Sequence, residues 1–205
     1  MDKTFGLREK KKAILKLNML EVLIELLKVK SFDAIKVKDI CEVLTISEVT
    51  FFNYFNKKEE LLLFYMKVWN YNRELRLANS RQNGLKGLYA IFEDLAKTDN
   101  AQKVMNTIIN YITKLDEPPK RLFLSDCEKW LLNNEYSVKP LSLTEQIQRH
   151  LGEAFDHGEI EDSNIDALVH LISTIYYGSS VMTHLTGMNL ADYYKSNLDI
   201  IFRKD

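Results

Sequence analysis

Residues 35–63 read IKVKDICEVLTISEVTFFNYFNKKEELLL, and this stretch decides the fold. Val37, Ile40, Cys41 and Leu44 recur at helical spacing, which predicts a short amphipathic helix over 37–44. Thr45 and Ile46 break it. Ser47 then stands where a helix N-cap is needed, because its hydroxyl can accept from the orphan amides of the next turn. A second short helix is expected over 47–54, and a third element starts at Lys58-Glu59-Glu60. Val49, Phe51 and Phe55 are expected to face inward, with Ile46 plugging the space between the two short helices. One and a half turns cannot also bury Glu48, Thr50, Asn53 and Tyr54, so these take the outer face. A short helix held out with such groups can reach base edges and phosphates. Glu48, at the positive end of the helix, can accept from a cytosine amine. Lys58, close by, is expected to meet a phosphate.

Outward from this stretch the helical period continues. Ala13, Ile14, Leu17, Leu20, Ile24 and Leu27 make one stripe, so a first helix is expected over 8–29. A long helix is expected over 58–80, followed by helices over 85–97, 101–115, 119–133, 141–157, 164–186 and 191–203. Asp99 or Asn100 can cap one of these, and Asp162, Ser163 or Asn164 another. Pro118-Pro119 separates two helices, and Gly158 and Gly187 are left-handed stops. Three prolines and seven glycines in 205 residues leave long helices undisturbed. The expected architecture is all-α, with about ten helices. Residues 1–57 form a helix-turn-helix head, and 58–205 a larger regulatory and dimerisation domain joined to it by helix 58–80.

Composition narrows the function classes. Hydrophobic residues make up 46% and charged residues 28%, as in an ordinary globular protein. The net charge of −1 excludes a basic coat, but residues 1–60 hold 12 Lys and Arg against 10 Asp and Glu, and the remainder 16 against 19. Lys10, Lys11 and Lys12 start the first helix and are candidate phosphate contacts. No apolar run reaches the length of a membrane span, and the amphipathic N-terminus does not read as a secretory signal. A cytoplasmic location is expected, with Cys41 and Cys127 as reduced core residues. An enzyme is disfavoured: there is no Gly-rich phosphate loop, no nucleophile-base order and no paired-cysteine spacing, and no cofactor is implied. His150, Glu153 and His157 share one helix face, but the two histidines lie two turns apart, too far for a close metal grip. They are read as a solvated face, with no metal site.

The head resembles that of the TetR-type (tetracycline-repressor-like) transcriptional regulators. Ser31-Phe32, Ile35-Lys36-Val37, Ile40-Cys41, Thr45-Ile46-Ser47, Phe51-Phe52-Asn53-Tyr54-Phe55 and Lys58-Glu59-Glu60-Leu61 follow the family pattern in order and spacing, over roughly residues 8–65. The chain departs from it at four places. Ser31 and Thr45 replace glycines, Lys36 replaces a capping threonine, and Phe52 replaces a phosphate-binding tyrosine. The resemblance implies contact with a double-stranded DNA operator through Lys36, Ser47, Glu48, Thr50, Phe52, Asn53, Tyr54 and Lys58. It also implies a body pocket for an apolar small-molecule ligand, near Trp69, Phe92, Met105, Ile109, Trp130 and Phe155. The last two helices show more than one apolar face. Leu171, Ile175, Gly178, Met182 and Leu185, with Tyr194, Leu198 and Ile201, are therefore candidates for a homodimer interface. The expected function is a ligand-responsive regulator, a repressor released from a near-palindromic operator. The alternative is a TetR-shaped dimeric binding module with weakened or lost operator binding.

Overall fold

A computed structural model describes residues 5–98, 101–117, 123–133, 139–161 and 164–202. The expected features at Asp99, Asn100, Pro118, Pro119, Asp162 and Ser163 lie outside these residues. The described residues form ten helices and no strand: α1 (Leu7–Val29), α2 (Val37–Leu44), α3 (Glu48–Phe52), α4 (Glu60–Ser80), α5 (Gly84–Ala96), α6 (Ala101–Ile112), α7 (Asp126–Asn133), α8 (Leu143–Asp156), α9 (Ile165–Thr186) and α10 (Leu190–Phe202). The chain divides into two compact units, one made of residues 1–71 and 111–139, the other of 72–110 and 140–205. The boundary expected after residue 57 falls inside the first unit.

Local chemistry accounts for several helix limits. Ser142 caps α8 in a reciprocal box: its hydroxyl accepts from the Glu145 amide, and the Glu145 carboxylate accepts from the Ser142 amide at 2.7 Å. The same pattern starts α7, where Ser125 and Glu128 exchange the equivalent bonds at 2.7 and 3.2 Å. That S-x-x-E signal places the α7 start at Asp126, later than the expected 119.

In the first unit, α1 packs against α2 and α7. Its buried line is Ala13, Met19, Leu20, Leu23 and Leu27, while Ile14 is exposed and Leu17 and Ile24 are half-buried. The expected stripe is thus turned by about one residue, because α1 has neighbours on two sides. Phe51, Phe55 and Phe64 form a chain of ring contacts at 5.8 and 5.7 Å. Lys16 lies over Phe64 at 4.3 Å and pairs with the buried Glu128 at 2.5 Å, tying α1 to α7.

In the second unit, Phe92 packs edge-on to Tyr176 and Tyr194, and the Tyr194 hydroxyl donates to the Tyr176 carbonyl at 2.7 Å. Arg73 is fully buried and donates to Gln146 Oε1 at 2.6 Å and to the Tyr176 hydroxyl at 3.2 Å. Buried Glu74 accepts two bonds from Arg149 at 2.6 and 3.1 Å. The α5 amides of Gly84 and Leu85 donate to the carboxylates of Glu153 and Glu159, at 3.0 and 2.7 Å. Helix α5 is therefore capped from outside itself, and negative charge sits at its positive end.

His150 contradicts the expectation of a solvated face. It is 1% exposed and seated on Gly87, where an added Cβ would fall 2.3 Å from its ring. Its Nδ1 lies 3.0 Å from Glu153 Oε2, and burial holds its imidazole below the ordinary value of 6.5. His157, by contrast, is exposed.

Candidate nucleic-acid interface

The two short helices are joined by a turn whose geometry is explicit. Thr45 adopts a left-handed conformation, φ 54° and ψ 46°. The Ile46 amide donates to the Cys41 carbonyl at 3.0 Å and the Thr45 amide to Glu42 at 3.3 Å, the two bonds of a Schellman stop. A β-branched residue in this region costs about 1–2 kcal/mol relative to glycine. Ser31, the other position where the family carries glycine, has no positive φ.

Lys36 precedes α2 and provides no side-chain cap, since an ammonium cannot accept. Its amide instead donates to the Asp39 carboxylate at 2.9 Å. That bond, helped by nearby Lys30, holds Asp39 below the usual carboxylate range. The Lys36 side chain is left exposed.

Helix α3 is one turn and a half. Ser47 caps it, accepting from the Thr50 amide at 3.1 Å, and its hydroxyl lies 2.9 Å from the Thr50 hydroxyl. Phe51 is fully buried and fixes the phase of the helix. The chain leaves the helix at Asn53, two residues sooner than expected, with the Tyr54 amide turning back to Phe51 at 2.9 Å. Glu48, Phe52 and Asn53 are exposed, and Thr50 and Tyr54 half-exposed.

Thr50, Asn53 and Tyr54 share an open groove of about 610 Å³ with Leu7, Arg8, Lys11 and Lys12 from the first turns of α1. Three cations thus face the outer edge of α3. Arg8 is the addition here. Its i, i+3, i+4 relation to Lys11 and Lys12 was the available signal. Lys10 belongs elsewhere, with its ammonium 5.2 Å from the Trp130 ring.

Two assignments change. Val49, expected in the core, is 71% exposed on α3. With Phe51 and Phe55 already filling the inner side, no inward position remains for it. Lys58, expected on a phosphate, donates to the Phe32 and Ile35 carbonyls at 2.7 and 2.6 Å and lies 4.4 Å over the Phe32 ring. It clamps the loop before α2 to the start of α4, so two of its three donors are already used.

The body candidates separate by unit. Trp69 and Trp130 belong to the first unit, where Trp69 stacks on Tyr65 and Trp130 packs on Phe5. In the second unit, Phe92 and Met105 are buried, Ile109 is half-buried, and Phe155 is 42% exposed, so it lines no interior there. On α9, Leu171, Met182 and Leu185 are exposed, and Ile175 and Gly178 are half-exposed on the same side. Tyr194 and Leu198 are buried within the second unit, so they cannot form a surface. Ile201 is half-buried, and Ile200 takes the outward position on α10.

An all-helical chain with this head has the fold of the TetR-type regulators. Thermus thermophilus FadR, a TetR-family transcriptional repressor crystallised in complex with lauroyl-CoA, is similar over 90% of this chain and 92% of its own, with a TM-score of 0.63 and 18% sequence identity. No family model and no curated protein matches the sequence. Among the described residues no helix is long and apolar enough to cross a membrane.

Proposed function

We propose that this protein is a ligand-responsive DNA-binding transcriptional regulator, acting as a homodimeric repressor that a small molecule releases from a near-palindromic operator. The observation that carries the reading is the groove on the head. Arg8, Lys11 and Lys12 line it beside Thr50, Asn53 and Tyr54. Cations of that kind neutralise phosphates while the polar groups meet base edges. The fold shared with a repressor supports the output. The exposed side of α9 supports a two-fold dimer, which would set two heads on successive half-sites. An apolar inducer is supported by the acyl chain of the ligand held by the Thermus protein of the same fold. Lauroyl-CoA, held by the Thermus protein, and other acyl thioesters are the first to assay. An inducer acts by binding the DNA-free arrangement better than the DNA-bound one.

The test is fluorescence anisotropy with the duplex lying upstream of the protein's own gene, across a salt series. Binding that weakens steeply with salt, and a shallower slope for Lys11→Ala, are expected. Absence of binding at low salt would overturn the reading and leave a dimeric module whose head no longer holds DNA.

A further inference from the structure

Helix α3 carries hydrocarbon at the position where a groove-reading helix projects furthest. At about 100° per residue, Val49 and Asn53 lie within roughly 20° of the point opposite buried Phe51. Val49 is 71% exposed and Phe52, on the adjoining flank, 46% exposed. The other flank carries Thr50 and Tyr54 and faces the basic groove of Arg8, Lys11 and Lys12. Apolar side chains placed beside phosphate-binding cations suit one occupant, a duplex with the major-groove edge of its bases against α3. In that groove the one apolar group is the thymine 5-methyl, which takes aliphatic and aromatic contacts. An asparagine reads adenine through its N6 and N7 atoms. Val49 and Asn53, side by side on the crest, match the two members of neighbouring A·T pairs.

We propose that Val49 and Phe52 read thymine methyl groups, so that each half-site has an A·T-containing core recognised by hydrocarbon contact as well as hydrogen bonding. The proposal rests on the DNA-binding reading above. Phe52 thereby acquires a use for the ring that carries no phosphate-binding hydroxyl.

The experiment starts by selecting duplexes from a random library with the full-length protein at low salt. The tightest duplex is then resynthesised with deoxyuridine replacing thymidine, one position at a time, which removes only the methyl. Loss of one methyl contact should weaken binding about four-fold, and the symmetric pair in two half-sites about sixteen-fold. Val49→Ala should be indifferent to uracil at the position it reads, and Val49→Thr, which keeps one methyl, should retain part of the sensitivity. Both substitutions are on the surface, and circular dichroism checks that each variant is folded. A wild-type protein that binds its selected duplex specifically yet ignores every uracil overturns the proposal and leaves the regulator reading intact. So does a uracil effect unchanged in both Val49→Ala and Phe52→Ala. Failure to select any duplex sinks the regulator reading, and the proposal with it.

Discussion

Replacing Lys58 with methionine tests whether that residue belongs to the fold or to the DNA. The stem over Phe32 is retained, and only the ammonium that bonds the Phe32 and Ile35 carbonyls at 2.7 and 2.6 Å is lost. A hydrogen bond to a charged group contributes about 1.5–3 kcal/mol. Lys58 is half-exposed, so water can replace part of what is removed, and the pair together should be worth about 2 kcal/mol. Both tryptophans of the chain, Trp69 and Trp130, sit in the first unit. Their fluorescence therefore follows unfolding of the unit that Lys58 holds together. Urea titration should show an earlier midpoint for Lys58→Met, and heating a transition lower by about 4–8 °C for a chain of this size. The salt dependence of DNA binding should keep the wild-type slope. A midpoint equal to wild type, with a slope reduced by about 0.9 per head, would refute the clamp and restore Lys58 as a phosphate contact.

Thr45→Gly should raise the stability read from the same fluorescence transition by about 1 kcal/mol. It relieves the left-handed threonine, at φ 54°, and the gain is partly offset by the greater freedom of unfolded glycine. His150 is held neutral by burial, so the unfolded chain takes up its proton first. The stability of the second unit, followed by circular dichroism, should be intact above pH 6.5 and fall as pH drops below it, and His150→Gln should flatten that decline. Leu185→Glu, at a site 73% exposed, should leave the helical content unchanged and shift the sedimentation coefficient from dimer toward monomer. A variant that stays dimeric moves the interface off α9.

Much of the head was readable because its signals are local. Ser47 needs only its neighbours to cap α3, and Cys41 to Ile46 close the turn within six residues. Helix α3 itself was less readable. Five residues are too few for a period to separate inside from outside, and Val49 was misplaced. Lys58 was misread for another reason: its partners, Phe32 and Ile35, lie more than twenty residues earlier, and carbonyls leave no mark in a sequence. His150 is buried because Gly87 leaves a slot for its ring, and that fit exists only once α5 meets α8. Tyr194 points inward for a similar reason, since Phe92 and Tyr176 are there to receive it. The groove needed α1 and α3 together, although the spacing of Arg8, Lys11 and Lys12 hinted at one face.

Helix α9 is built inside out toward its C-terminal end. Its buried side, apolar at Leu168, Val169, Ile172 and Tyr176, turns polar at Ser179, Ser180 and Thr183, where Ser180 donates to Asn106 and Thr183 accepts from Gln102, while Leu171, Val181, Met182 and Leu185 stand exposed. On the proposed dimer those hydrocarbons are covered by the partner's, each contributing up to about 1.5–3 kcal/mol. The fold then draws part of its stability from association, and that part varies with the logarithm of protein concentration. At concentrations below the dissociation constant of that dimer the chain would be monomeric. The amount of the protein would itself become a signal, because dilution removes the paired heads that an operator requires before any inducer arrives.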